Sequence, residues 1–231
     1  MWKPFDFDST KKYPIIANVY PGPQTESVNT SFIAGGVPQQ LAQLGFIVIQ
    51  IGNRGGSPLR SLAYHRYGYY NLRDYALADK KSGIEQLAAR HAFIDVEKVG
   101  IFGHSGGGFL TAAALMLPPY NEFFKVGVSS SGNHDNNIYN QNWSENNHGL
   151  KMVPAKKDTT SRGRARVIAG AVTQQGTSDG GAPADTVLSA DSTFQIHVPT
   201  NIELAPNLRG RLLLTTADMD NNVHPVTPSA W

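Results

Sequence analysis

The sequence predicts an α/β fold, a mostly parallel sheet with helices on both faces, and two features carry that prediction. Short β-branched runs alternate along the chain with stretches of helical period, and several of those runs are apolar throughout. A strand that is apolar on both sides is buried on both sides, the situation of a parallel sheet covered by crossover helices. At 231 residues the chain can bury a core sufficient for one such domain without staples.

Taken in order, residues 13–19 and 46–51 read as strands. Residues 72–91 read as a helix with Leu77, Ile84, Leu87 and Ala88 at near-helical spacing and Arg73, Lys80, Lys81 and Glu85 between them, as expected of a helix with one face on a sheet. A strand at 99–102, a helix at 107–117 and strands at 126–129 and 212–215 continue the alternation. From 154 to about 191 the pattern stops: Gly, Ala, Ser, Thr and Asp dominate, and Asp179-Gly180-Gly181 is a turn signal. That stretch is expected to be a loop insertion in a single domain spanning 1–231, with mobility its default and a lid its functional alternative.

Composition narrows the function classes. With no cysteine, disulfides, thiolate metal sites and a cysteine nucleophile are excluded. A net charge of +2 with dispersed Lys and Arg argues against a nucleic-acid partner. No apolar run approaches the roughly 20 residues that span a bilayer, and Met1-Trp2-Lys3-Pro4 lacks the apolar core of a signal peptide. A soluble chain without a membrane partner is expected, its compartment left open. No cofactor or metal is called for, and a homo-oligomer is left open.

Gly103-His104-Ser105-Gly106-Gly107 matches G-x-S-x-G in the context the motif needs, a strand before it and an Ala-rich helix after it. A serine at such a turn is held in a strained conformation, and its neighbours must be small because strand and helix backbones nearly touch. The turn sets Ser105 at a helix N-terminus, where the Gly106 N–H can stabilise an oxyanion. The competing reading is a glycine-rich turn around a phosphate. No Lys follows as in a P-loop, and the glycine spacing is not that of a dinucleotide site.

Besides this turn the chain carries Lys3-Pro4-Phe5-Asp6-Phe7-Asp8, Lys11-Lys12-Tyr13-Pro14, Val19-Tyr20-Pro21-Gly22-Pro23, Asn53-Arg54-Gly55-Gly56-Ser57 and Ala217-Asp218-Met219-Asp220-Asn221-Asn222-Val223-His224. In these motifs it resembles the prolyl oligopeptidase family of serine peptidases, and within it the dipeptidyl peptidase IV-like branch. The resemblance implies an α/β-hydrolase fold, read here as incomplete at the C-terminus and without the N-terminal β-propeller that the family carries. It implies Ser105 as nucleophile, Asp220 as the triad acid in preference to Asp218, and Tyr20 with Gly106 as the oxyanion hole. Without it, Tyr20 would read as a tyrosine at a strand end. It also implies Tyr139 and Trp143 as aromatic walls of a pocket for proline or alanine, with Asn222 and Val223 touching substrate. Two rings four apart on a short helix would face one side and grip a pyrrolidine ring, although core packing explains that pattern equally well. Asn133 stands where the family keeps an apolar residue, which makes this pocket more polar.

The triad histidine is expected a strand and a helix after the acid, and no residue here matches it. Only His224 follows Asp220, too near in the same loop for a competent triad, while His104, His134 and His148 read as ordinary polar residues. The chain therefore reads as C-terminally truncated and feebly active alone, since losing a triad histidine costs on the order of 10⁶ in turnover. Three functions stay open at this point: a serine peptidase acting after proline or a small residue, a carboxylesterase on small esters, and a catalytically impaired fragment. A peptide or small ester is the expected ligand.

Overall fold

The computed structural model describes residues 1–24, 26, 28, 31–33, 35–154 and 192–223. The chain divides into two compact units, Met1–Gly149 with Ile196–Trp231, and Leu150–Gln195. The elements of the first are β1 (Tyr13–Val19), α1 (Val37–Gln43), β2 (Ile47–Ile49), α2 (Leu62–His65), α3 (Leu77–Arg90), β3 (Ile94–His104), α4 (Gly106–Met116), α5 (Tyr120–Phe123), β4 (Phe124–Ser130) and α6 (Gln141–His148). The second contains β5 (Lys151–Pro154) and β6 (Ser192–Gln195), paired antiparallel, and β7 (Arg211–Thr215) returns to the first. The insertion expected from 154 to about 191 lies, but for Pro154, outside the described residues.

Five strands form one all-parallel sheet in the order β2-β1-β3-β4-β7. Ile15, Ala17 and Val19 of β1 are buried, as are Val99 and Ile101 of β3, while the residues between them are half-buried. The buried side takes α3 and α4. Helix α4 is apolar all round, with Gly107 through Met116 buried, which fits a helix wedged centrally against β3 and β4. On the other side α1 contributes Val37 and Leu41 to the rim of an apolar groove of about 580 Å³ that runs over Ile16, Phe102, Val126 and Val128. Helices thus lie on both faces, but unequally. Among the described residues no helix is long and apolar enough to cross a membrane.

The helix expected to begin at residue 72 begins at Leu77. The Asn71 side chain accepts from the Asp74 N–H at 3.2 Å, which favours a turn over helix continuation. Arg73 is buried, doubly hydrogen-bonded to Asp74 at 2.6 and 3.0 Å and donating to the Thr200 carbonyl at 2.6 Å. Lys80 is also buried, on the same face as Leu77 and Ile84, where its ammonium donates to the Ile51 carbonyl and to Asn53 Oδ1. Neither cation lies on the solvent side that the amphipathic pattern suggests. The turn at Asn53–Gly56 is structural: Arg54 pairs with Asp79 at 2.7 Å, and Asn53 meets Lys80.

Burial pushes Lys80 down from 10.5 to about 8, against the opposing pull of Asp79 and Glu26. Between those values the unfolded chain holds a proton that the folded chain has lost, so the stability tied to Lys80 rises with pH across that window. Urea unfolding should show wild type gaining on Lys80→Met between pH 8 and 10.5 by up to about 3 kcal/mol. A difference independent of pH would mean that the buried ammonium keeps its charge.

Candidate active site

Strand order 2-1-3 means that the chain reverses direction of build-up beside β1, and the crevice at the carboxyl ends of β1 and β3 is the expected binding place in such a sheet. Register brings the four strand ends level: Val19 pairs with Gly103, His104 with Ser130, and Ser130 with Thr215. The residues that follow these ends are Tyr20, Ser105, Ser131 and the loop to Asp220.

Ser105 sits between β3 and α4 at φ 55° and ψ −119°, one of few non-glycine residues with positive φ among those described. The conformation is held from both sides: its N–H donates to the Ser130 carbonyl at 2.8 Å, and its carbonyl accepts from Phe109 N at 3.0 Å. Its side chain makes no capping bond to α4 and is half-buried. The neighbouring glycines are required by space. A Cβ on Gly103 would stand 2.4 Å from the Val19 carbonyl oxygen, and one on Gly107 only 2.0 Å from the same atom. That close approach brings the end of β1, and so Tyr20, against the first turn of α4.

Ser105 opens onto a cavity of about 360 Å³ that is also lined by Tyr20, Gly106, Tyr139, Trp143 and Asn222. Tyr139 precedes α6 rather than lying on it, because Asn140 takes the N-cap and its side chain accepts from Trp143 N at 3.1 Å. The two rings still meet, edge to face at 5.8 Å. Tyr139 Oη donates to Asn222 Oδ1 at 2.7 Å, which occupies that oxygen and leaves the Asn222 NH₂ as the donor available to a ligand. Val223 is buried but is not among the residues lining this cavity.

Sequence patterns missed Gln24, Leu72, Tyr75, Phe109 and Asn136, which also line the wall. Leu72 and Tyr75 were hidden inside a stretch read as helix. For Asn136 the available signal was the run of amides from Asn133 onward.

Asp220 lies beside the cavity in a loop that its own carboxylate shapes, Oδ1 accepting from Val223 N at 2.9 Å and Asn222 N at 3.0 Å. Those backbone bonds hold it below the usual carboxylate range, with smaller help from Ser131 and His104, so it is ionised at neutral pH. A continuous chain of contacts runs from Trp143 through Tyr139 and Asn222 to this acid. Among the described residues no histidine hydrogen-bonds to Ser105 or Asp220. His104 is exposed with Nδ1 3.1 Å from Ser130 Oγ. His134 is buried between Asn201 and Ser129, and burial lowers it to about 4, so it is neutral. His148 is buried too, and burial lowers it. His224 lies outside the described residues. Among the described residues there is also no group of three or more side chains suited to a metal ion.

The sequence profile of the Prolyl oligopeptidase family matches residues 34–165, more than half of the chain, with Ser105 inside the match. The chain belongs to the prolyl oligopeptidase family. Its relatives in that family include human dipeptidyl peptidase 8, 37% identical over 135 residues, which are 57% of this chain and 14% of that protein. A probable dipeptidyl-aminopeptidase B of Arthroderma gypseum is 29% identical over 147 residues, 62% of this chain and 15% of the relative. The chain thus spans about one seventh of the length of these curated relatives. Among solved structures, a putative dipeptidyl aminopeptidase IV from Bacteroides ovatus superposes with a TM-score of 0.67 at 24% identity, covering 99% of this chain and 27% of the other. Dipeptidyl peptidase 4 of Porphyromonas gingivalis gives the same TM-score at 20% identity, covering 98% and 26%. These two likenesses speak to the fold, which is the mostly parallel α/β-hydrolase architecture. The prolyl oligopeptidase match reaches Tyr139 and Trp143 and stops short of Tyr20, Asp220, Asn222 and Val223 on either side.

Proposed function

We propose that this chain carries the catalytic centre of a serine peptidase that cuts after proline or another small residue through an acyl-enzyme. The observation that carries the reading is Ser105 held at φ 55° at the mouth of a preformed cavity. Its Oγ attacks the substrate carbonyl carbon while a histidine takes the hydroxyl proton and passes it to the departing amine as the C–N bond breaks; water then reverses the sequence on the ester. Asp220 orients and stabilises that histidine, which none of the described ones is placed to be. Tyr20 Oη and the Gly106 N–H hold the oxyanion. Tyr139 and Trp143 flank the side chain before the cut bond, Asn222 donates to a substrate carbonyl, and Val223 supports that loop from beneath.

A second reading keeps the nucleophile and changes the substrate to small carboxylic esters. It is favoured by the absence of any charged side chain among the described residues lining the cavity, which leaves no evident partner for a peptide's free amine. Nitrophenyl esters set against Gly-Pro and Ala-Pro anilides separate the two. The peptidase reading expects measurable anilide cleavage; ester turnover several orders faster with none would end it. A third reading, an impaired fragment, expects neither turnover nor labelling of Ser105 by a fluorophosphonate.

A further inference from the structure

We infer that the cavity beside Ser105 selects, immediately before the bond it cuts, a side chain bearing a hydroxyl, with Asn133 as the residue that sets the preference. This rests on the peptidase reading and refines its substrate class. The cavity wall mixes apolar side chains, Leu72, Phe109 and Trp143 among them, with four carboxamides, Gln24, Asn133, Asn136 and Asn222. Asn133 and Asn136 are buried, at 5% and 1% exposure. The Asn133 Nδ2 donates to Asn136 Oδ1, and Asn136 is tied in turn by Ser144 Oγ donating to its backbone carbonyl at 2.8 Å. The Asn133 Oδ1 is buried with no hydrogen-bond partner among the described residues.

Nearly all buried polar atoms in folded proteins are paired, and one that is not, at the wall of a substrate cavity, is an acceptor waiting for a ligand. Proline or alanine in the cavity would leave that oxygen as it already is, shut off from water and unpaired. A hydroxyl removes the penalty. It both donates and accepts, so it satisfies the amide in either orientation, and it reaches the oxygen through a small turn about χ2, a torsion with a broad minimum. A cationic or anionic side chain would enter a cavity with no counter-charge among the described residues lining it. Threonine and valine make the comparison clean, being alike in shape and different in the hydroxyl.

The test measures acylation of Ser105 by nitrophenyl esters of N-acetyl-threonine and N-acetyl-valine, followed by intact mass on the 231-residue chain. Acylation needs no deacylation step to be read. The threonine ester should react about 10- to 100-fold faster, the discrimination expected when a buried acceptor is either paired or left unpaired. Asn133→Leu should bring the ratio to about one or invert it, chiefly by speeding the valine ester. Equal rates for the two esters on the wild-type chain would overturn the hydroxyl preference and leave the hydrolase reading standing. Failure of both esters and of a fluorophosphonate to modify Ser105 would favour the impaired-fragment reading and overturn this inference with it.

Discussion

Ser105→Ala is expected to abolish covalent labelling by a fluorophosphonate and, where a histidine base is in place, to lower kcat by on the order of 10⁶. The size follows from the chemistry: without Oγ there is no acyl-enzyme, and what remains is the small acceleration due to substrate binding and the oxyanion donors. The fold should be untouched. Alanine inherits the same positive φ, and both backbone bonds of residue 105, to Ser130 and from Phe109, involve no side-chain atom. Peptide mapping after labelling checks the first half and thermal unfolding the second. A label that persists in the alanine protein would place the reactive group elsewhere.

Gly107→Ala should be strongly destabilising, its added methyl making the shortest clash of any glycine among the described residues. The added Cβ would stand 2.0 Å from the Val19 carbonyl oxygen, 3.0 Å from its carbon and 3.3 Å from Tyr20 Cα. All three are backbone atoms of a central strand and its continuation, so no side chain can swing aside, and α4 must retreat from β1. Overpacking against backbone that cannot yield costs about 3 kcal/mol or more, a large part of the total stability of a domain. The variant should melt about 10 °C or more below wild type or fail to accumulate. Gly106→Ala is the internal control, since its new Cβ would meet only the Pro21 carbonyl oxygen at 3.2 Å. Equal melting of all three proteins would show that the strand–helix approach has slack.

These contrasts show what local sequence can and cannot reveal. β1 was legible to the residue, and the turn around Ser105 was legible because small residues, a preceding strand and a following Ala-rich helix all point to one geometry. Tyr20, Gly106, Tyr139, Trp143 and Asn222 could be named beforehand, by resemblance, and they do line one cavity with Ser105. What escaped notice depends on partners distant in sequence. Lys80 reads as an exposed cation until the Ile51 carbonyl and Asn53 are seen above it. Leu72 and Tyr75 read as helix until the Asn71 side chain captures the Asp74 N–H. The pairing of β5 with β6 bridges residues 155–191 and leaves no local trace. The position of Tyr139 turned on a single capping choice at Asn140.

The positive φ at Ser105 bears on stability as well as mechanism. Glycine would take that backbone shape freely, whereas serine does so at about 1–3 kcal/mol. The turn therefore gives up folding energy at the residue whose hydroxyl the proposed chemistry uses.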